Sequence, residues 1–252
     1  MTKPASPLVS VIVPVFNEEK LLPEAVACIR RQGDARLEIV AVDSSTDGTP
    51  EVLERLRREP GAPLRIVCQG RLGPGAARNA GALDARGEIF AFLDADDLWS
   101  DGWLTCVRRR LEAEPDALFV GHTSVVRSAD PSVPDSGWNP PEPPVLSFVF
   151  GAMALRRTTW KTIGGIDASL RFGEDLAFSM AARERGVPVV ALPETTHFYR
   201  LHGRNSVKGR GAKELNVMRV LHESLRRRVS KDGGATVALP PLRSPVPSGP
   251  TR

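Results

Sequence analysis

Apolar and polar positions along the chain fall into two alternating rhythms. From Leu8 to Phe16, "LVSVIVPVF" is a β-branched run broken only by Pro14, and Glu18 to Arg31 then returns apolar residues at helical spacing. The same exchange repeats with "LEIVAVD" (Leu37 to Asp43) as a strand and "TPEVLERLRRE" (Thr49 to Glu59) as a helix with Pro50 in its first turn. It repeats again with "LRIVCQ" (Leu64 to Gln69) leading into "GPGAARNAGALDA", and "EIFAFLD" gives a fourth strand. Near-continuous apolar strands joined by helices predict an α/β fold, a Rossmann-like, mostly parallel central sheet with helices on both faces.

The second half is less regular. Val126 to Val145 is rich in Pro, Ser and Asp and reads as a long loop of the kind that serves as a lid or binding segment. "FVFGAMALRR" resembles a further strand, "GEDLAFSMAARERG" a helix closed by Gly186, and "VPVVALP" a strand. "KELNVMRVLHESLRRRVSK" carries Leu215, Met218, Leu221 and Leu225 at helical spacing among Arg219, Arg226, Arg227 and Arg228. Such a helix can lie on an anionic membrane, but packing on its own domain with a solvated basic face is favoured. The expected organisation is an N-terminal extension over 1–7, one domain over 8–230 and a disordered tail over 231–252.

Composition narrows the classes. The 252 residues are 41% hydrophobic and 25% charged with a formal charge of +4, as in an ordinary soluble domain. No basic stripe interleaved with aromatics is present, which argues against nucleic acid as a partner. Cys28, Cys68 and Cys106 stand in no metal-ligand or disulfide pattern, and Cys28 and Cys68 read as core residues in a reducing, cytoplasmic setting. No run approaches the ~20 apolar residues of a membrane span, so membrane contact is expected to be at most peripheral, at the inner surface.

Chemistry is expected where an open α/β sheet binds ligands, at the carboxyl ends of its strands. Asn17 and Glu18 follow strand one, Asp43 ends strand two, and strand four ends in Asp94, Asp96 and Asp97. Asp47-Gly48 reads as turn chemistry. Three acids in four positions exceed what a helix cap needs and repel one another unless a positive partner sits among them. Such a cluster suits a hard divalent cation, Mg²⁺ or Mn²⁺, which completes its shell with phosphate oxygens and water.

"VSVIVPVFNEE", "VDSSTDGT", "GPGAARNAG", "FLDADD" and "GEDLAFSMAARERG" stand in the order and spacing of the family 2 glycosyltransferases, and from about Leu8 to Ser206 the chain resembles these inverting enzymes of GT-A fold. The resemblance implies a nucleotide-binding half over 8–100 and an acceptor half over 101–230. It implies that Asp43 accepts from the N3–H of uracil or thymine beside Pro14, Val15 and Phe16, with Glu18, Arg78, Asp94 and Ala95 also lining the nucleotide. "VDSSTDGT" replaces the family's preceding acid with Val42. "DAD" resembles the DxD motif, with Asp94 toward the ribose and metal waters and Asp96 on the metal. The family's general base falls at Asp175, with Glu174 beside it; the alternative for this pair is a helix N-terminus favoured by its dipole. "FYRLHGRNSV" resembles a late family segment in which Arg200 meets the diphosphate and His202 completes the metal shell. The absence of QxxRW implies transfer of one sugar, or few, rather than polymerisation. Trp138 and Trp160 are candidates for stacking on a sugar, or for the core.

The implied activity is transfer of a single sugar from a UDP- or TDP-sugar to an acceptor hydroxyl on a saccharide, lipid-linked, peptide or small-metabolite acceptor. An inactive sugar-nucleotide-binding protein on the same fold is the alternative. A sugar-phosphate nucleotidyltransferase is disfavoured because "VPVFNEE" offers acids where a triphosphate wants donors. A glycosidase also uses paired carboxylates but needs neither Asp43 nor a metal cluster.

Overall fold

A computed structural model describes residues 6–33, 36–127, 143–205, 211, 215–229 and 236–245. Its elements are, in order, β1 (Val9–Val15), α1 (Leu22–Arg31), β2 (Leu37–Asp43), α2 (Thr49–Arg58), β3 (Leu64–Cys68), α3 (Pro74–Asp84) and β4 (Ile89–Phe92). There follow β5 (Leu98–Trp99), α4 (Trp103–Ala113), β6 (Leu118–Arg127), β7 (Val145–Leu146), β8 (Met153–Arg156) and α5 (Arg157–Ile163). The chain then forms α6 (Glu174–Glu184), β9 (Val189–Leu201) and α7 (Val217–Arg228). Most of the loop expected over 126–145, Trp138 included, lies outside the described residues.

One sheet runs β3-β2-β1-β4-β8-β6-β9-β5, with β7 beside β6. The first half is all parallel, β1 pairing with β2 and β4, and β2 with β3. Beyond β4 the sheet is mixed: β8 enters antiparallel between β4 and β6, and β6 then pairs parallel with β9. Successive residues of β1 point to opposite faces, which is why its run is apolar throughout. Val9, Val11, Val13 and Val15 join α1, α2 and α4 in one core, whereas Ile12 joins α3, α5 and α6 in the other. Pro14 fits a central strand because β4 pairs only with Val9 to Ile12, so no donor is needed there at Pro14.

The helix α3 approaches the sheet closely through Gly81, where a Cβ would lie 2.5 Å from Ile12 Cγ2 and 3.1 Å from Val42 Cγ2. That approach carries Arg78, one turn earlier on α3, to the carboxyl ends of β1 and β4.

Three expectations need correction. The strand expected to end at Pro193 continues to Leu201, because β9 bulges against β6: Ala191 pairs with Val120 and Thr195 with His122, leaving Pro193 unpaired within the bulge. Cys68 is exposed at the end of β3, although Cys28 is buried in the core. Of the two alternatives for Trp160 the core one holds: it packs against Phe90, Phe92 and Phe178 at ring-centroid distances of 6.0, 5.4 and 5.2 Å. Residues 236–245, expected to be disordered, dock on the domain. Ala191 N–H donates to Arg243 O (2.9 Å), Arg243 N–H donates to Val189 O (2.9 Å), and Arg183 donates to Pro240 O. Proline removes donors and restricts φ, so a Pro-rich stretch can still lie extended along an edge where only some residues pair.

Candidate active site

The site gathers at the carboxyl ends of β1, β2 and β4. Beyond β1, Asn17 adopts the left-handed region (φ 59°) and cross-links the two neighbouring loops. Its N–H donates to Ser45 Oγ (2.9 Å) and its Oδ1 accepts from Thr46 N–H (2.8 Å). Asp43, buried at the end of β2, accepts from Ser45 N–H at 3.0 Å. Val15 O accepts from Ser44 N–H (3.1 Å), which ties the two strand ends together. Phe16 is 42% exposed and the Arg71 guanidinium lies over its ring at 4.7 Å. Asp47 accepts from Thr49 N–H (3.0 Å), as its turn chemistry predicts.

After β4 the chain reverses in a turn closed by Asp97 N–H donating to Asp94 O (3.0 Å). The turn sends its acids in different directions while Ala95 is buried beneath it. Asp97 points inward, where its carboxylate meets His197 Nε2 (3.0 Å) and accepts from Arg200 N–H (2.9 Å). It is therefore a strut between the turn and β9 and not a helix cap, since α4 begins only at Trp103. Burial, with Asp96 beside it, raises the Asp97 carboxyl to about 6.

Asp96 faces Glu18 and His202, and ligand atoms of all three lie within 4.8 Å of one another. His202 Nε2 is 3.1 Å from Asp96 Oδ2. Burial and the Asp96 charge push Glu18 up to about 7. Two carboxylates and an imidazole gathered at one point, with Glu18 raised by burial and by the Asp96 charge, form a donor set suited to a divalent cation and fit Mn²⁺ or Mg²⁺. Glu18, expected against the nucleotide, thus joins this cluster.

Arg78 links a second group of acids, at the start of α6, to Asp94 of the β4 turn. It is 4% exposed, its Nη1 donates to Glu174 Oε1 (3.1 Å) and its Nη2 donates to Asp94 Oδ1. The guanidinium also lies over the Phe150 ring at 4.6 Å. Glu174 and Asp175 open α6 behind Gly173, whose left-handed φ of 78° favours glycine. Asp175 Oδ1 accepts from Leu176 N–H (2.8 Å), and burial followed by the Glu174 charge raises its carboxyl to about 7.

Arg200 does not face this space. It is 1% exposed and spends its guanidinium on Asp96 O, the Glu24 carboxylate and Leu21 O, so it holds the turn from beneath and offers nothing to a diphosphate. The arginine at the rim is Arg204, donating to Asn17 O (3.0 Å) and Glu18 Oε2 (3.2 Å). Both arginines stand in "RLHGR", and nothing in the local sequence separates Arg200 from Arg204. His197 and Arg71 also escaped notice, since neither lies in a motif.

Solved structures share this architecture. TarS of Staphylococcus aureus, solved in complex with UDP-GlcNAc, superposes with a TM-score of 0.67 at 21% identity, covering 86% of this chain and 66% of that one. The mannosyltransferase PcManGT of Pyrobaculum calidifontis, solved with GDP-Man and Mn²⁺, gives a TM-score of 0.63 at 25% identity over 93% of this chain and 67% of its own. The fold is thus of the GT-A glycosyltransferase class. Residues 10–167 match the family model described as glycosyl transferase family 2, and the chain belongs to that family. Among curated relatives, the uncharacterized glycosyltransferase alr2836 of Nostoc sp. is 26% identical over 213 residues, 79% of this chain and 66% of its own length. TarS, named a poly(ribitol-phosphate) β-N-acetylglucosaminyltransferase, is 26% identical over 202 residues, 75% of this chain and 35% of its own. The chain therefore spans less than two thirds of the length of these two curated relatives.

Proposed function

We propose that the chain is an inverting, metal-assisted glycosyltransferase that moves one sugar from a nucleotide-diphospho-sugar to an acceptor hydroxyl, with Asp175 as general base. The observation that carries this reading is the closeness of two acid groups of different character, for Arg78 bridges Asp94, two residues before Asp96, and Glu174, next to Asp175. One group, Glu18, Asp96 and His202, has the donor chemistry of a cation site. The other presents Asp175, a carboxyl poised near 7.

Each residue then has a task. Asp43, with the β1 end and Phe16, receives the base of the nucleotide; an acceptor at that position favours uracil or thymine, whose N3–H donates. Glu18, Asp96 and His202 would hold the divalent cation, which when bound supplies neutralisation of the diphosphate charge. Asp94, held by Arg78, borders the ribose side of that cluster. Asp175 accepts the proton of the acceptor hydroxyl as its oxygen bonds to the anomeric carbon. The bond from that carbon to the diphosphate oxygen breaks with its electron pair leaving on the nucleoside diphosphate. A single displacement of this kind inverts the anomeric configuration. A base near 7 combines adequate ionisation with adequate basicity at neutral pH.

TarS and PcManGT bring two donor precedents, UDP-GlcNAc and GDP-Man. Asp43 inclines this chain toward the uridine type. A protein that only bound sugar nucleotides would have no use for a base-like Asp175, and the acid-rich β1 loop gives a nucleotidyltransferase no triphosphate cradle. Incubation with UDP-, TDP- and GDP-sugars and mass spectrometry of the released nucleoside diphosphate tests the reading. Metal-dependent release from one donor supports it; no release from any donor, with nucleotide bound, would move the chain to the binding-only class.

A further inference from the structure

The helix α7 turns its more apolar side outward. Val220 and Ser224 are buried on the side facing α6, and Arg227 pairs with Glu184 (2.8 Å). Met218, Leu221 and Leu225 are instead 67%, 40% and 44% exposed. Spaced three and four apart, they form one stripe along the helix. Val229, also 44% exposed, extends it past the last turn, and Val237, 64% exposed, is brought to the same end by its N–H bond to Arg228 O (3.1 Å). Single exposed apolar side chains are ordinary, but a continuous row signals a surface meant to be covered. Exposed His222, Arg226 and Arg219, the last paired with Glu223 (2.9 Å), border the stripe on one edge, and half-buried Arg228, which donates to Val237 O (2.8 Å), on the other.

The charges select the occupant. A second copy of the stripe would set arginine against arginine, whereas a surface that is anionic outside and apolar beneath satisfies both parts of the helix at once. We propose that α7 seats the protein on an anionic lipid bilayer, with Met218, Leu221 and Leu225 at the headgroup–acyl boundary and Arg219 and Arg226 on lipid phosphates. Among the described residues no helix is long and apolar enough to cross a membrane. The helix also starts beside the candidate base. Asn216 Nδ2 donates to Phe172 O (3.1 Å), and the Phe172–Gly173 turn leads directly into Glu174 and Asp175. On the transferase reading, on which this last step rests, the acceptor reaches Asp175 from the bilayer and is carried by a lipid.

Flotation of the full chain with vesicles of phosphatidylglycerol and phosphatidylcholine, against phosphatidylcholine alone, tests the docking claim. Retention is expected on the anionic vesicles only, weakening as salt is raised. M218S/L221S/L225S is expected to lower the partition by roughly tenfold or more with melting temperature unchanged, because these side chains are exposed. R219Q/R226Q is expected to lower it by about fivefold per arginine at low salt. Absent or charge-indifferent retention would overturn the proposal, as would wild-type retention by the serine variant. Dimerisation seen by light scattering and abolished by the serine variant, without vesicle binding, would give the stripe to a second copy instead. The flotation needs no turnover, so its failure leaves the transferase reading standing. Faster conversion of a vesicle-borne acceptor than of the same saccharide in solution, lost in the serine variant, is the expected sign of lipid-carried acceptor; equal rates would remove that step.

Discussion

Removing the guanidinium of Arg78 is expected to destabilise the protein in a pH-dependent way. In R78M the side-chain volume is largely kept, but Glu174, Asp175 and Asp94 lose the cation among them. The Glu174 side chain is only 11% exposed and Arg78 only 5%, so water cannot replace the lost partner there. Asp94, at 36%, is partly screened and contributes less. Breaking a buried ion pair from one side costs about 3–5 kcal/mol; the partial exposure of Asp94 points to the lower end, about 3 kcal/mol. For a chain of 252 residues this is a fall in melting temperature of roughly 6–12 °C, at about 2–4 °C per kcal/mol.

The pH dependence follows from Asp175. Its folded pKa, already raised to about 7, rises further once Arg78 no longer favours the charged form. A carboxyl whose folded pKa exceeds its unfolded value keeps its proton in the folded state, so stability is lost as pH climbs between the two values. The gap between R78M and wild type should therefore open as pH rises through about 7, where wild-type Asp175 ionises, and be smallest in acid. Scanning fluorimetry from acid through neutral pH reads it, and R78K should recover part of the loss. A gap independent of pH, or no loss at all, would refute the claim that Arg78 neutralises these acids.

The other expectations concern the base and the chain's end. D175N should cut turnover by roughly 10²–10⁴-fold while leaving nucleoside-diphosphate affinity intact; turnover within a few-fold of wild type would remove Asp175 from its role. In wild type, kcat/KM should rise with pH through about 7 as Asp175 loses its proton, and a profile flat across neutrality would argue for another base. Truncation after Val229 should lower the melting temperature, because Arg243 pairs with Val189 and Ala191 along β9; an unchanged value would show that this docking contributes nothing.

The parallel half of the fold was legible because its strands are buried on both faces and its helices carry clean apolar spacing. Strand β2 falls on the predicted residues, Leu37 to Asp43. The second half obeyed a different logic. Proline at 193 reads as the end of a strand, and only pairing with β6 reveals that it sits in a bulge. Docking of residues 236–245 is likewise invisible in a Pro-rich stretch, since it depends on an edge of β9 far away in sequence.

The site shows the same division. Motifs pointed to Asp43, Asp94, Asp96, Glu174 and Asp175 because acids at strand and helix ends stand out against their surroundings. They did not distinguish which acids face one another. Glu18 reaches Asp96 across 78 positions, and Asp97 turns away to His197, through geometry that a local reading lacks. Arg200 and Arg204 carry the same charge four residues apart; burial under the turn takes one out of the site and leaves the other on its rim.

The central claim is that a metal-supported donor site lies at the ends of β1, β2 and β4. Calorimetric titration of the full chain with UDP, once with Mn²⁺ and once with EDTA, tests it most directly, with TDP and GDP as comparisons. Binding of UDP with Mn²⁺ that is lost in EDTA, and lost again in an Asp96→Ala variant, is the predicted result. Equal UDP affinity with and without metal, or binding undisturbed by Asp96→Ala, would contradict the account.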